Sequence, residues 1–514
     1  MADETTTPHT IALSLVSHTN VGKTTLARTL LGRDVGTVRD EAHVTEAAEP
    51  YVLVETPEGD RMTLWDTPGF GDSARLARRL ASSGDPIGWF LTQVWDRFRD
   101  RAFWSSQQAV RNVRDSADVV LYLVNASEQP AEAGYVSTEM RVLDWIGKPV
   151  VVLLNQLGQP RAASDEAAEV QAWRNHLSGV HQVRAVLPLD AFARCWVQEA
   201  TLLRTIETLL AEPERSACAR LIDEWLRRRR AAFDASIAVL AERLARAATD
   251  REPIPDGGVL GRLREAGNAL GALRASADDE GTAAPTRQLA MRRLAERLDA
   301  DVRAGTARLI ALHGLEGHAS GEVLARLARH YAVSERLDEG KAAMWGGMVT
   351  GALTGLKADL ATGGLTFGAG LLAGGIVGAL GAFGLARGYN VVRGAHEPSV
   401  AWTDAVLDEL VVTALLGYLA VAHYGRGRGD WTPSEHPPHW RDVVIGVFER
   451  RRAGFAAIWA LRAGADAQVS MKKALRPALS EAALEVLEQL YPGSGATAID
   501  RPGAAPPPPV AGTT

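Results

Sequence analysis

Two patterns of apolar and polar positions share the first two hundred residues. Val119–Val124 and Val150–Leu154 are unbroken apolar runs of six and five residues, and Ile11–Val16 is apolar except at Ser14. Runs of that kind suit parallel strands covered on both faces. Tyr51–Glu55 and Arg61–Asp66 are more mixed strand-like segments, and Pro57-Glu58-Gly59-Asp60 between them has turn chemistry, which predicts a hairpin. Arg184–Leu189 reads as a last strand. Helical spacing fills the intervals, as in Thr25–Leu31. It recurs at Phe90, Leu91, Val94, Trp95 and Phe98, where charges at Asp96, Arg97, Arg99, Asp100 and Arg101 interleave. Strands alternating with helices predict an α/β, doubly wound, mostly parallel sheet over residues 9–212.

Beyond residue 200 the period is helical throughout. Leu202, Leu203, Ile206, Leu209 and Leu210 are followed by Leu221, Trp225, Phe233, Ile237, Leu240 and Leu244. Pro253–Gly258 breaks this stretch, and Ala275–Pro285 reads as a loop. Further helices are expected at Thr286–Leu312, Gly321–Leu337, Val400–Ala422, Trp440–Leu461 and Val469–Leu490. The predicted organisation is a disordered N-terminus (1–8), an α/β domain (9–212), a helical domain (213–340), a glycine-rich apolar hairpin (341–394), C-terminal helices (395–492) and a disordered tail (493–514). The tail carries four consecutive prolines, Pro506–Pro509.

Glycine changes the picture of the second half. The chain has 49, and they concentrate in two uncharged stretches, Ala342–Leu356 and Leu360–Ala386. Gly347, Gly351 and Gly355 fall four apart, as do Gly370, Gly374 and Gly378. Such spacing lets helix backbones approach closely, which offsets the roughly 1 kcal/mol each glycine costs an exposed helix. As helices the two arms span roughly 22 Å and 40 Å. Only the second reaches across a hydrocarbon core of about 30 Å. Membrane association through this hairpin and a close-packed soluble hairpin are the two readings.

Charge and cysteine content narrow the partners. A net charge of −6 argues against nucleic acid. The run Arg227–Arg230 is either a contact for acidic lipid or a solvated helix face. Two cysteines, Cys195 and Cys218, make no disulfide framework, and with a polar Met1–His9 they lead us to expect a cytoplasmic protein, with the inner face of the cytoplasmic membrane as a further station. His313 and His318 stand too isolated to suggest a metal site.

Candidate chemistry collects at strand ends. The first apolar run leads into Ser17-His18-Thr19-Asn20-Val21-Gly22-Lys23-Thr24 and then a helix from Thr25. Strand, tight loop, Gly-Lys-Thr and helix form a phosphate cradle: loop N–H groups face the phosphate oxygens, Lys23 reaches the outer phosphates and the Thr24 hydroxyl ligates magnesium. Ser17 replaces the first glycine of the usual pattern. The hairpin's second strand ends in Asp66-Thr67-Pro68-Gly69-Phe70. A carboxylate there holds magnesium through water, and the Gly69 N–H meets the γ-phosphate.

With these two motifs paired, the chain resembles the TrmE/Era-type branch of bacterial P-loop GTPases over residues 9–212, followed by an all-α domain. The resemblance implies GTP and magnesium as ligands. It assigns the switch threonine to Thr45, 22 residues after Lys23, with Thr37 as the competing position. It makes Asn20 a candidate potassium ligand. It places Phe70 where Ras-like enzymes keep a water-orienting glutamine, so slow hydrolysis is expected, helped by potassium, a second protomer docked through the GTPase domain, or a partner. Asn155-Gln156-Leu157-Gly158 stands where Asn-Lys-x-Asp reads guanine: Asn155 is kept, while lysine and the base-reading aspartate are replaced by Gln156 and Gly158. Asp190-Ala191 stands in the base loop in place of Ser-Ala, and Asp190 is a candidate replacement carboxylate.

The resulting expectation is a GTP-binding switch whose helical part meets membrane lipid or a membrane protein. Two alternatives stay open: a nucleotide-binding scaffold without turnover, and an Era-like ribosome or RNA assembly factor.

Overall fold

A computed structural model describes residues 7–33, 35, 49–71, 73–81, 84, 86–93, 99–157, 163–191, 195–253, 283–315, 389–393, 398–424, 438–464 and 466–496. Thr37, Thr45, Gly158, His318, the 321–337 helix and the whole 342–386 hairpin lie outside these residues. The chain divides into two compact units. The first comprises residues 1–232, 422–439 and 487–514, and the second residues 233–421 and 440–486.

The first unit is built on a six-stranded sheet. Its strands are β1 (Thr10–Ser17), β2 (Glu49–Glu55), β3 (Arg61–Asp66), β4 (Val119–Asn125), β5 (Val150–Asn155) and β6 (Val183–Pro188). The spatial order is β2-β3-β1-β4-β5-β6, with only the β2–β3 hairpin antiparallel. The α/β, doubly wound, mostly parallel architecture expected from the pattern is therefore present. The continuous apolar runs owe their composition to burial on both faces. Val120, Tyr122 and Val124 of β4, with Val150, Val152 and Leu154 of β5, enter one large core cluster. The alternate residues Val119, Leu121, Leu123, Val151 and Leu153 are equally inaccessible. The hairpin strand β3 alternates instead, with Met62, Leu64 and Asp66 buried between more accessible neighbours.

Around the sheet lie α1 (Lys23–Leu31), α2 (Ser73–Leu80), α3 (Pro86–Thr92), α4 (Arg101–Asp115), α5 (Gly134–Ile146), α6 (Ala163–Leu177), α7 (Trp196–Leu209) and the start of α8 (Glu214–Thr249). Of the helix expected through Phe90–Phe98, α3 accounts for Phe90 and Leu91 and ends at Thr92, while Val94, Trp95 and Phe98 lie outside the described residues. The Gln107 side chain of α4 donates to the carbonyls of Phe90, Leu91 and Gln93, taking up the acceptors that end this turn. Phe90 and Phe103 meet in the core at a centroid distance of 6.5 Å. Three arginines of the run on α8 have carboxylate partners: the exposed Arg227 and Arg228 pair with Glu224, and Arg229 pairs with the buried Glu199.

The second unit is helical, with the rest of α8, α9 (Ala283–Leu312), α10 (Asp404–Ala422), α11 (Pro438–Trp459) and α12 (Ala467–Leu490), the last three in the parts that fall within it. A small antiparallel sheet stands among them, made of β7 (Arg251–Pro253), β8 (Tyr389–Arg393) and β9 (Pro398–Trp402) in the order β7-β9-β8. Val400–Trp402, expected as the start of a helix, is thus the central strand, paired on both sides. Apolar runs this short fit either period, and pairing decides between them. Among the described residues α10 is the one helix long and apolar enough to cross a membrane, with mean hydropathy 1.9 and 61% of its apolar window buried within the protein. Its Asp408 accepts a hydrogen bond from Trp459 Nε1 at 2.9 Å.

Candidate nucleotide site

The candidate residues gather at the C-terminal ends of β1, β3, β5 and β6. In the sheet order β1 lies between β3 and β4, so connections leave it in opposite directions, and the strand ends open a crevice there. Ser17 closes β1 and is fully buried. The loop then needs two left-handed residues, Asn20 (φ 65°) and Gly22 (φ 94°), before α1 begins at Lys23. Asparagine tolerates that conformation better than most side chains. At Gly22 a second constraint acts, since a Cβ would lie 2.8 Å from Asn155 Nδ2.

The Ser17 substitution has a structural role. Lys23 Nζ donates to Ser17 Oγ at 3.0 Å and to the His18 carbonyl at 3.4 Å. The lysine is buried, and burial pulls its pKa below the ordinary value against the opposing pull of Asp66 and Glu139.

The switch turn leans directly on this loop. Phe70 N donates to the Ser17 carbonyl at 2.9 Å, and His18 and Phe70 form an isolated parallel bridge. Thr67 Oγ1 donates to the Leu15 carbonyl, tying the turn to β1. Gly69 is closely packed: a Cβ there would fall 3.0 Å from Lys23 Nζ and 3.1 Å from Thr19 Cα. Phe70 is fully buried in the core cluster with Val16, Leu76, Phe90 and Phe103.

Thr24 Oγ1 donates to Asp66 Oδ2 at 2.6 Å, while Asp66 Oδ1 is buried without a hydrogen-bond partner. Burial pushes the Asp66 carboxyl up to about 6, against the Thr24 hydrogen bond and the Lys23 charge. A buried carboxylate oxygen lacking a donor, with a hydroxyl beside its carboxylate, suits a hard divalent cation. Thr24 and Asp66 therefore fit magnesium. Among the described residues no group of three or more His, Cys, Asp or Glu could hold a metal by itself.

The base-side loops are joined by Asn155, which is fully buried. Its Nδ2 donates to the Val21 carbonyl at 2.7 Å and its Oδ1 accepts from Ala191 N at 2.8 Å. Thr29 Oγ1 donates to the Ala191 carbonyl at 2.9 Å. Gln156 takes a left-handed conformation (φ 58°), and the buried Asp190 accepts from Leu157 N through Oδ2 at 2.7 Å. The carboxylate of the base loop thus sits against the Asn155-Gln156-Leu157 segment. Thr25 is buried in the first turn of α1.

Sequence reasoning missed three polar residues beside the loop: Ser73, Tyr122 and Glu139. All three are buried, and Glu139 receives hydrogen bonds from His18, Ser73 and Tyr122. One signal was available. Glu139 falls on the apolar stripe of α5 with Val136, Met140 and Leu143, where a charge demands a partner.

Fold and site together define the sheet-bearing N-terminal part of the first unit as a bacterial P-loop GTPase domain. Residues 12–156 match the family described as a 50S ribosome-binding GTPase. Residues 179–490, more than half of the chain, match the family described as a domain of unknown function, DUF3482, and the chain belongs to that family. The GTPase Der of Myxococcus xanthus (strain DK1622) is 32% identical over 163 residues, covering 30% of this chain and 28% of that protein. The chain thus spans little more than a quarter of the length of that curated relative. Among solved structures, Era in complex with MgGDPNP and part of 16S ribosomal RNA is 18% identical, with a TM-score of 0.30, covering 40% of this chain and 58% of that one. A variant of Aquifex aeolicus Era bound to GDP and tetrafluoroaluminate is 19% identical with the same coverage and TM-score.

Proposed function

We propose that the protein is a guanine-nucleotide switch that binds GTP with magnesium and hydrolyses it slowly. The observation that carries this reading is the convergence of Lys23, the Thr24–Asp66 pair and the closely packed Gly69 on one loop, with Asn155 tying that loop to the base side. Lys23 neutralises charge on the outer phosphates. Thr24 and Asp66 would hold magnesium, which would supply electrostatic stabilisation of the phosphoryl group at this site. Thr45 is proposed as the remaining switch ligand. Asn155 positions the base loop, and Asp190 is proposed as the carboxylate facing guanine in place of the side chain that Gly158 lacks.

Phe70 supports slow turnover, because a side chain fully buried in the core has no means of orienting water. Acceleration is proposed to come from potassium at Asn20, from a second copy docked through the GTPase domain, or from a partner. The 342–386 hairpin is proposed to bring the switch to membrane lipid or a membrane protein at the cytoplasmic face. The burial of Phe70 also favours a second reading, a nucleotide-binding scaffold without turnover.

Phosphate release under multiple turnover separates the two. The switch reading expects release that is lost in Lys23→Ala; binding without release establishes the scaffold. Binding of GTP, ATP and xanthosine triphosphate in parallel, with and without anionic vesicles, tests base selection and membrane contact. Equal affinity for all three nucleotides refutes guanine selection, and vesicle-independent behaviour in full-length protein refutes the membrane reading.

A further inference from the structure

Glu139 is 0% exposed, yet three elements of the first unit send it hydrogen bonds. His18 Nδ1 of the phosphate loop lies 2.7 Å from Oε1, and the Tyr122 hydroxyl of β4 donates to Oε2 at 2.6 Å. Ser73, the first residue of α2, donates to Oε1, and its hydroxyl also lies 3.3 Å from His18 Nδ1. The His18 ring is further held by stacking on Tyr135 of α5 at 4.5 Å between centroids. Serine and carboxylate face the same ring nitrogen, so the trio is not a nucleophile–base relay, which would place them on opposite nitrogens. It is a clamp. The backbone bridge between His18 and Phe70 fixes one end of the switch turn to the phosphate loop. Three residues after Phe70, Ser73 fixes the other end to the same loop through Glu139.

We propose that Glu139 is a positioning residue that couples the phosphate loop to α2, so that the nucleotide bound at Ser17–Thr24 is reported at α2 through His18, Glu139 and Ser73. The inference rests on the guanine-nucleotide reading above and assigns that site its outgoing connection. A buried carboxylate suits this task. Its hydrogen bonds are charge-assisted and strongly directional, and a departing donor leaves it in a medium that cannot replace the bond. Small shifts of the loop on exchange of GTP for GDP therefore become a choice for Ser73 between keeping and losing a strong acceptor. Because α2 packs on α5, which carries Glu139, the helix start cannot follow the carboxylate without repacking.

The test uses the full-length protein with GDP and a non-hydrolysable GTP analogue. It reads both affinities and the hydrogen exchange of residues 73–81. Wild type is expected to show exchange in α2 that differs between the two nucleotides. Ser73→Ala and Glu139→Gln are expected to abolish that difference and to change the ratio of the two affinities by about 10- to 100-fold, the worth of one hydrogen bond to a buried charge. Ser73→Thr, which keeps the hydroxyl, is expected to retain most of the coupling. Glu139→Gln keeps the side-chain shape, and Ser73→Ala removes one oxygen, so the pair stays informative if either variant folds poorly. Wild-type affinity ratio and exchange difference in both variants overturn the coupling while leaving nucleotide binding intact. Failure of the wild type to bind either nucleotide overturns the guanine-nucleotide reading itself.

Discussion

Replacing Asn155 by alanine removes the bridge between the phosphate loop and the base loop. The amide makes two buried hydrogen bonds, donating to the Val21 carbonyl at 2.7 Å and accepting from Ala191 N at 2.8 Å. A carbonyl on one side and an N–H on the other fix which end of the amide is which. Alanine satisfies neither partner, and the site is fully buried. Each unsatisfied group costs roughly 1–3 kcal/mol, so local stability should fall by about 2–6 kcal/mol. Hydrogen exchange of the Ala191 amide reads this free energy directly, because that N–H is the one released. At 1.4 kcal/mol per factor of ten, exchange should quicken at least about 30-fold, while amides in β1 and β4 change far less. Guanine-nucleotide affinity should fall with it. Exchange at Ala191 within about threefold of wild type would refute the bridging role.

Three further outcomes are expected. Burial raises the Asp66 carboxyl from an ordinary value near 4 to about 6, so the stability its neutral form contributes is fully present below about pH 4 and is lost as pH rises through 6; Asp66→Asn should therefore flatten the stability profile between about pH 4 and 6.5 and gain up to about 3 kcal/mol above that window, as urea unfolding without magnesium would register. Gly69→Ala should weaken binding of a GTP analogue by tenfold or more with little change for GDP, because its Cβ meets the Thr19 backbone at 3.1 Å; equal losses for both nucleotides would contradict the γ-phosphate assignment. Phosphate release should be faster in potassium than in sodium, and Asn20→Ala should remove the difference; equal rates in the two salts would remove potassium from the account.

The legible parts of the molecule are those whose cause is local. β4 and β5 announce themselves because burial on both faces leaves them apolar up to the asparagine that ends each, Asn125 and Asn155. The phosphate loop and the Asp66–Phe70 turn are short segments whose backbone demands are written in consecutive residues. What escaped reading depends on long-range contact. Glu139 joins His18 across 121 positions, and Asp190 meets Leu157 across 33. Val400–Trp402 has too few residues to display a period, and its identity as a strand comes from Arg251–Pro253 and Tyr389–Arg393 on either side. The end of α3 has a similar cause, since the side chain that takes up the Phe90, Leu91 and Gln93 carbonyls, Gln107, belongs to the next helix.

Asn20 and Gln156 share the one backbone conformation that side-chain-bearing residues avoid, and they flank the site from its two loops. Gln156 stores on the order of 1–2 kcal/mol of strain there and Asn20, whose short amide tolerates the conformation, less. An engineer seeking a hardier protein would relax both positions with glycine. The relaxed loops would then have to be ordered afresh at every binding event, so the gain in melting temperature would be repaid in affinity. The two residues mark where this domain exchanges thermal robustness for a site that is shaped before its ligand arrives.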